Sequence, residues 1–321
     1  MSMLKLIAAA FALIAGFAAT AAAQDYPTRP VRIVVGFTAG ASADVTARVL
    51  APKLGQSLGQ QFVVENRPGA GSNIAADFVA HAPKDGYTLF LATIANTINA
   101  SLPAKLNFDF VKDFAPIALL ASVPNILAVH PSIGVKSVED LIKLVRSKPG
   151  QLSYGSSGVG TAVHLSGELF NVMVGAKMVH VPYPGSAQSV TDLIAGRVQV
   201  TFAPASTVLP HVQSGRLIAL ATTQLKRASV APDLPTMSEA GLKGFDTGVW
   251  FGLLAPAGTP RDVVERLAQA TNDALKSRAV VDPLQKQGID VLGGTPGEFA
   301  AYIQSEIAKW SRVAEAAGLK Q

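Results

Sequence analysis

Residues 31–44 read VRIVVGFTAGASAD. The first five form an apolar run of the kind that becomes a buried parallel strand. Small residues follow, and an apolar stripe with helical spacing begins at Val45. A strand that re-enters as a helix through small residues leaves backbone N–H groups aimed at one spot, where the helix dipole adds partial positive charge. We therefore predict an anion site at residues 36–44.

A second stretch of the same kind occupies residues 152–161, LSYGSSGVGT. A short strand leads into a loop rich in glycine, and a helix with apolar positions at Leu165, Leu169 and Val172 follows. Glycine also serves ordinary tight turns, and for one loop alone that explanation is the more common one. Two such loops in separate halves of the chain favour a shared site, in which a small molecule with one or two carboxylates is held between them.

The first 23 residues have the pattern of a secretory signal peptide. Lys5 is their one charged residue, residues 6–19 are apolar, and three alanines precede Gln24. The apolar run is short for a membrane span of ~20 residues, and no basic cluster follows it. We expect cleavage near Ala23, secretion, and a mature chain long enough for two domains.

The composition excludes several functional classes. The chain has no cysteine, which rules out thiol catalysis and cysteine-ligated metals. Its formal charge of +5 is spread over scattered lysines and arginines, so nucleic-acid binding is not expected. The histidines show no metal-binding spacing. His164 alone is kept as a candidate for contact with the bound molecule, because it lies one turn into the helix after the second loop. We expect neither a cofactor nor a metal.

Strand, loop and helix alternate along the chain, which predicts an α/β fold. The pattern places a first domain at residues 24–121 and 249–321 and a second domain at residues 122–248. The chain would cross between them twice, and two connecting segments are the geometry of a hinge that closes. Ligands on such sheets bind beyond the carboxyl ends of the strands, where Thr93 and Asn96 also fall.

Stricter nucleotide-binding and catalytic motifs are not met. The pairs Gly69/Gly71 and Gly158/Gly160 would each need a third glycine for a dinucleotide fingerprint. Ile74 and Val163 stand at those positions. A nucleophile elbow centred on Ser157 would need glycine in place of Val159. We therefore expect a protein that is not an enzyme, with a periplasmic serine hydrolase that uses Ser157 or Ser156 as the alternative.

Asp44 lies in the first turn of the predicted helix, with Arg48 four residues on. A carboxylate there satisfies the same N–H groups that an anionic ligand would use, and the spacing favours an ion pair. The same carboxylate could instead meet a ligand amine, and the sequence leaves both roles open. Phe37, Tyr183 and Trp250 are candidates for the wall of a pocket, although aromatic residues near strand ends more often belong to the core.

Eight segments spread along the chain carry a resemblance to a known family. They are residues 26–48, VENRPGAG (64–71), DGYTL (85–89), DFAPI (113–117), YGSSGVG (154–160), VPYPG (181–185), LPTMSEAG (234–241) and APAGTP (255–260). Through these segments the chain resembles the periplasmic solute-binding receptors of tripartite tricarboxylate transporters, the Bug or TctC family. The resemblance covers nearly all of the chain after the leader, and the motifs keep the same order.

The resemblance implies a type II periplasmic binding protein, a Venus flytrap of two hinge-connected α/β domains that closes on a small carboxylate. It also implies delivery to a membrane permease, with a sensor kinase as the alternative recipient, and we expect a monomer. In such receptors backbone amides and hydroxyls of both loops meet the ligand carboxylates. Carried onto this sequence, that gives Phe37, Thr38, Ala39, Gly40, Ala41 and Ser42, then Ser156, Ser157, Gly158, Val159, Gly160 and Thr161, with Thr93, Asn96, Tyr183, Ala203 and Pro204 as further candidates; Asp44 and His164, named above, complete the set.

Two departures from the family pattern bear on the ligand. The first loop of the family commonly carries Pro-Gly-Gly or Ala-Gly-Gly, whereas this chain has Ala41 in place of the second glycine. Many relatives have an acidic residue after the strand that ends at Phe202, whereas this chain has Ala203 and Pro204. The first change adds a methyl group near the ligand and the second removes a polar contact, so both fit a less polar or aromatic carboxylate.

Overall fold

The computed structural model describes residues 26–102, 106–316 and 318, so the predicted signal peptide at residues 1–23 lies outside the described residues. The strands are β1 Val31–Val35, β2 Phe62–Asn66, β3 Thr88–Thr93, β4 Phe114–Val123, β5 Asn125–Val129, β6 Ser153–Ser156, β7 Val179–Pro182, β8 Val200–Pro204, β9 Ile218–Thr222, β10 Val249–Pro256 and β11 Asp290–Val291. The helices are α1 Ser42–Leu58, α2 Asn73–Ala80, α3 Ile94–Ser101, α4 Val138–Ser147, α5 Ala162–Val174, α6 Ser186–Ile194, α7 Ala205–Gln213, α8 Arg261–Leu275, α9 Arg278–Gln285 and α10 Pro296–Ala316. Among the described helices, none has the length and apolar character needed to cross a bilayer.

The strands form two mixed sheets. The order is β11-β4-β10-β3-β1-β2 in the first sheet and β7-β6-β8-β5-β9 in the second. Strand β1 runs parallel to β2 and β3, and β6 runs parallel to β7 and β8. The strands that follow the two crossings, β5 and β10, run antiparallel to their neighbours. The predicted α/β fold is confirmed.

The chain passes between the sheets twice. It leaves the first sheet with β4 and enters the second with β5, and it leaves the second with β9 and returns with β10. The side-chain amide of Gln224 donates a hydrogen bond of 2.8 Å to the Ser122 hydroxyl, which joins the two crossings. The domain boundaries at 121/122 and 248/249 stay a prediction, and each lies beside one of these crossings.

Apolar burial explains why the chain folds into these layers. Strands β1 and β3 are buried along nearly their whole length. One core lies between the first sheet and helices α1, α8 and α9, and it contains Leu54 and Leu267. A second core continues from the first sheet into the second and contains Phe90 and Phe202. At ~25 cal/mol per Å² of apolar surface, burial on this scale is the main stabilising contribution, and it also couples the two sheets.

Helix α10 holds the second crossing in place. Its Glu306 accepts hydrogen bonds from the indole N–H groups of Trp250 and Trp310. Its Lys309 donates to the backbone carbonyl of Asp246 at 2.6 Å and also contacts Glu306. Burial raises the pKa of Glu306, and the Lys309 ammonium opposes that shift. Because Asp246 lies three residues before the first residue of β10, these contacts fix the point at which the chain re-enters the first sheet.

Candidate functional site

A cavity of about 640 Å³ has walls from both halves of the chain, including both glycine-rich loops. Its size falls within the range of small-molecule sites, ~300–1,000 Å³. The first half contributes Phe37, Ala41, Ser42, Ala43, Ala70, Gly71, Thr93, Ile94, Ala95, Asn99, Leu102, Val249 and Phe251, and the second half contributes Ser157, Val159, Gly160, Thr161 and Ala162.

Three helices begin at this cavity. The first residue of α1, the residue before α3 and the residue before α5 all line its wall. The N-terminus of each helix leaves N–H groups without intrahelical acceptors and carries partial positive charge. Of the described residues that line the wall, none has a charged side chain. An anion in this cavity would therefore be held by backbone N–H groups and neutral hydroxyls rather than by an ion pair.

Helix α1 begins at the cavity, after the first loop, without a capping side chain. Gly40 adopts a φ of +83°, in the left-handed region that glycine tolerates best, and this turns the chain into the helix. Ala41 occupies the N-cap position, and among the described residues no side chain caps the helix. The N–H groups of Ser42, Ala43 and Asp44 in the first turn therefore have no side-chain cap, and Ser42 and Ala43 lie in the cavity wall.

Asp44 supports the first loop from behind. Its carboxylate accepts hydrogen bonds from the Gly40 N–H at 2.9 Å, from Arg48 Nε at 2.9 Å and from the Asn66 amide at 2.8 Å. Burial by itself would raise the pKa of Asp44, but these hydrogen bonds outweigh burial and lower the pKa, so the group is ionised at neutral pH. The ion pair with Arg48 is observed, and contact with a ligand amine stays a prediction.

Helix α3 is capped by its own residues. The Thr93 hydroxyl accepts from the Ala95 N–H at 3.2 Å, and the Asn96 side-chain oxygen accepts from the Thr93 N–H at 2.9 Å. Thr93 lines the cavity, whereas Asn96 is buried and does not. This reciprocal cap satisfies N–H groups that a ligand would otherwise use.

The loop after β2 forms a strained part of the wall. Ala70 and Ser72 have φ values of +47° and +74°, in the left-handed region that costs a non-glycine residue ~1–2 kcal/mol. A Cβ at Gly36 would collide with the Ser72 side chain, so only glycine permits this approach of the two loops. Asn99 donates to the Gly71 carbonyl at 2.9 Å and holds the loop against α3. Backbone strain of this kind clusters at ligand sites.

The second loop satisfies most of its own hydrogen-bonding groups. The Gly158 N–H donates to the Ser156 hydroxyl at 3.1 Å, and the Gly160 N–H donates to His164 Nδ1 at 3.1 Å. The Thr161 hydroxyl caps α5 by accepting from the His164 N–H at 3.4 Å, and it donates to the Gly158 carbonyl at 2.8 Å. These groups are therefore less available to a ligand than those of the first loop.

Two neutral histidines lie behind the second loop. The rings of His164 and His180 stack with their centroids 3.9 Å apart, and His180 Nε2 lies 2.6 Å from the Ser156 hydroxyl oxygen. Burial lowers the pKa of both histidines to about 4. Since neither ring is charged at neutral pH, no imidazolium stands behind the N–H groups of this loop.

The structure brings part of the predicted site together at the cavity. The predicted residues that line the wall are Phe37, Ala41, Ser42, Thr93, Ser157, Val159, Gly160 and Thr161. Contact between these residues and a ligand stays a prediction.

The other predicted residues do not line the wall. Thr38, Ala39 and Gly40 belong to the first loop but fall outside the wall. Tyr183 does not line the wall, and its hydroxyl donates a hydrogen bond of 2.9 Å to the Asp192 carboxylate. The rest also lie outside the wall: five are buried, namely Asp44, Asn96, Ser156, His164 and Ala203, and two are half-buried, namely Gly158 and Pro204.

Sequence reasoning missed several wall residues. Ala43 and Ala162 lie in the first turns of two helices whose starts were predicted, so those starts already contained the signal. Ile94 and Ala95 begin helix α3, which was not predicted. The turn after β2 was noted as a failed dinucleotide motif and as part of the family resemblance, but not as part of the site, although its glycines indicated close backbone approach. No local pattern marks the remaining wall residues, which come from distant segments; they are Asn99, Leu102, Val249 and Phe251.

A second large cavity lies on the outer side of the first half. Its volume is about 670 Å³, and its wall includes Arg48 on α1 and Phe62 on β2. None of its described lining residues belongs to either glycine-rich loop, and a groove beside an edge strand lacks the converging helix ends of the other cavity. Within the ranges that the structure covers, no group of three or more acidic or histidine side chains is arranged to hold a metal ion.

Comparisons with known proteins show the family of this chain. The model of the "tripartite tricarboxylate transporter family receptor" matches residues 46–319. Protein BugT of Bordetella pertussis is 36% identical over 324 residues, which cover 100% of this chain and 99% of BugT.

Two solved structures with ligands are similar over almost the whole chain. Rpa4515 of R. palustris, solved with adipate, is 40% identical, with a TM-score of 0.75 over 91% of this chain and 98% of that one. MatC of Rhodopseudomonas palustris, solved with bound malate, is 32% identical, with a TM-score of 0.72 over 90% of this chain and 99% of that one.

Proposed function

We propose that this chain, which belongs to the family of tripartite tricarboxylate transporter receptors, captures a small carboxylate in the cavity between its two halves. Members of this family are periplasmic solute-binding receptors. In the proposal, an N-terminal signal peptide directs the chain to the periplasm, where it acts as a monomer. The two domains close on the ligand by bending at the two crossings, and no bond of the ligand is made or broken.

The uncapped N-terminus of α1 is the observation that supports this function most strongly. Alanine is a poor N-cap, and a helix that lacks a capping side chain is less stable by ~0.5–2 kcal/mol. Ala41 leaves the first-turn N–H groups facing a cavity that has no charged side chain among its described wall residues. A ligand carboxylate would supply the missing cap, since it carries both the acceptor oxygens and the negative charge that a helix N-terminus favours.

The ligands of two relatives support the same chemical class. Adipate and malate, found in Rpa4515 and MatC respectively, are both small carboxylates. A wall of backbone donors is not selective for one of them, because N–H groups donate to any carboxylate of suitable size.

A membrane permease is the proposed recipient of the ligand, because the family is named for a three-component transporter. Uptake of radiolabelled ligand by cells that carry the receptor but lack the permease should fall to the level of cells without the receptor. Retained uptake would contradict this role, and a ligand-dependent kinase response in those cells would favour the sensor alternative.

The hydrolase alternative would need one serine with both solvent access and a base. The Ser156 hydroxyl is hydrogen-bonded to His180, but Ser156 is fully buried. Ser157 lines the cavity, and within residues 26–102, 106–316 and 318 no histidine is hydrogen-bonded to its hydroxyl. Turnover of a carboxylate ester that disappears in Ser157→Ala would overturn the receptor proposal in favour of the hydrolase.

A thermal-shift panel tests the proposal. The mature chain, from Gln24, is melted with mono-, di- and tricarboxylates, aromatic acids and acidic amino acids. A ligand that binds only the folded state stabilises it by ~2.7 kcal/mol at a hundredfold excess over the dissociation constant, so the melting temperature should rise with at least one carboxylate. An unchanged melting temperature across the whole panel would contradict carboxylate capture.

A further inference from the structure

The apolar part of the cavity narrows the class of ligand. Resting on the proposed function, we propose that the ligand is a monocarboxylate with an apolar body, aromatic or aliphatic, and that a second carboxylate at the far end of the ligand is rejected. The carboxylate lies at the first loop, and the apolar body extends beneath the second loop.

The wall beyond the first loop is mostly apolar. Phe37, Phe251 and Val249 come from the first half, and Val159 comes from the tip of the second loop. Val159 is 68% exposed although it is a large apolar side chain in the wall of a cavity. Since exposed apolar surface is unfavourable in water, an apolar ligand body that covers Val159 gains stability from its burial.

The two loops offer unequal numbers of free donors. In the first loop, the N–H groups of the first turn of α1 have no capping side chain. In the second loop, the N–H groups of Gly158 and Gly160 and the hydroxyl of Thr161 already donate within the loop and its helix. A ligand that spans the cavity therefore meets fewer open donors at the second loop, where His164 N–H is also capped, than at the first.

A second carboxylate would be poorly compensated under the second loop. A charge that leaves water needs an opposite charge or several hydrogen bonds, and here the described wall offers neither a lysine nor an arginine. The nearby imidazoles are held neutral by burial, so His164 and His180 supply no positive charge. The Ser157 hydroxyl and the Asn99 side chain are neutral, and Asn99 already donates to Gly71.

Two matched pairs of ligands test the inference by isothermal titration of the mature chain. Hexanoate and adipate share a six-carbon chain, and benzoate and terephthalate share a ring, so the members of each pair differ only in the second carboxylate. We expect the monocarboxylate of at least one pair to bind tenfold or more tightly than its partner, and no pair to show the reverse.

The outcomes separate this inference from the proposed function. A preference for the monocarboxylate below tenfold in both pairs, or tighter binding of the dicarboxylate in either pair, would overturn the inference and leave the carboxylate receptor standing. Heat of binding from none of these four acids, together with a flat thermal-shift panel, would overturn both.

A substitution at the loop tip tests the placement of the apolar body. Val159→Lys puts an ammonium group where the far end of the ligand is expected, and its exposure means that folding should be preserved. The affinity of adipate relative to hexanoate should rise at least tenfold. Val111→Lys changes another exposed valine, 45% exposed and outside the cavity wall, and should leave the ratio unchanged. An unchanged ratio in Val159→Lys would overturn the placement.

Discussion

The two glycine-rich loops have nearly the same architecture. In each, the third residue of the helix reaches back to the N–H of the glycine just before the N-cap, from Asp44 to Gly40 at 2.9 Å and from His164 to Gly160 at 3.1 Å. Both glycines have positive φ, +83° and +77°. The same local solution thus turns a strand into a helix in both halves of the chain.

The loops differ in the charge behind them and in the cap. Asp44 is ionised and paired with Arg48, whereas His164 is neutral. Ala41 leaves α1 uncapped, whereas the Thr161 hydroxyl caps α5. One backbone design therefore yields an uncapped helix end in the first half and a capped one in the second, because the N-cap side chain decides how many first-turn N–H groups stay free.

A cap supplied by the protein should abolish the first loop's role. In Ala41→Asp, the new carboxylate accepts from the first turn of α1 and repels the ligand carboxylate. We expect ligand affinity to fall about 100-fold, ~2.7 kcal/mol, and the unliganded protein to gain ~1 kcal/mol of stability. Isothermal titration and urea unfolding measure the two effects.

The control for that variant is Gly185→Asp. Gly185 is the N-cap of α6, has extended backbone with a φ of −173°, and has no side-chain cap. A Cβ there meets no other atom within 4 Å, and Gly185 does not line the cavity. The control should stabilise the protein without lowering its affinity for the ligand. Equal loss of affinity in both variants would break the comparison between the loops.

Removing the charge behind the first loop should affect stability more than binding. Asp44→Asn loses charge-assisted hydrogen bonds to Gly40 and Arg48. We expect the free energy of unfolding to fall by about 2 kcal/mol at pH 7. Because the pKa of Asp44 is lowered in the folded state, its contribution is present above its ordinary value of 3.8 and is lost as the pH falls below it. The difference between the wild type and the variant should therefore shrink in acid, and a constant difference would contradict the ion pair.

Acid should weaken the second loop at higher pH than the first. Burial lowers the pKa of His164 from 6.5 to about 4, so the unfolded chain binds a proton first and stability is lost as the pH falls from 6.5 towards 4. Because of His164 alone, the free energy of unfolding should be about 1.4 kcal/mol lower at pH 5.5 than at pH 8. His164→Asn, which keeps an acceptor for Gly160, should reduce the drop in urea-unfolding stability between those pH values. An undiminished drop would contradict this assignment.

The smallest effect is expected from the cap of the second loop. Thr161→Ala removes the acceptor for the His164 N–H and should cost ~1 kcal/mol of stability while ligand affinity changes less than threefold. Ser137→Ala removes the equivalent cap of α4, far from the wall, and should cost a similar amount. A loss of affinity above tenfold in Thr161→Ala alone would show that the second loop also binds the carboxylate.

Much of the fold could be predicted because its signals are local. The apolar run at β1, the small residues after it and the helical stripe of α1 lie within one short segment. The return of the chain with β10 was marked by its apolar residues around Trp250. The antiparallel pairing of β10 with β3 and β4 could not be read locally, because it depends on contacts between segments far apart in the sequence.

The candidate site was only partly predictable for a related reason. The sequence marks both loops as possible anion sites, since each joins a strand to a helix through glycine. It does not show that Asp44 and His164 turn back onto Gly40 and Gly160, because that depends on folded side-chain positions. Nor does it show that Phe251, from β10, reaches the same wall as the two loops.

A crystal structure of the complex tests the division between the loops most directly. The mature chain would be crystallised with the carboxylate that gives the largest thermal shift. We expect the carboxylate oxygens of the ligand within ~3.2 Å of the backbone nitrogens of Ser42 and Ala43, and the apolar body of the ligand against Val159. A carboxylate bound instead to the N–H groups of the second loop, with the first turn of α1 unoccupied, would contradict this expectation.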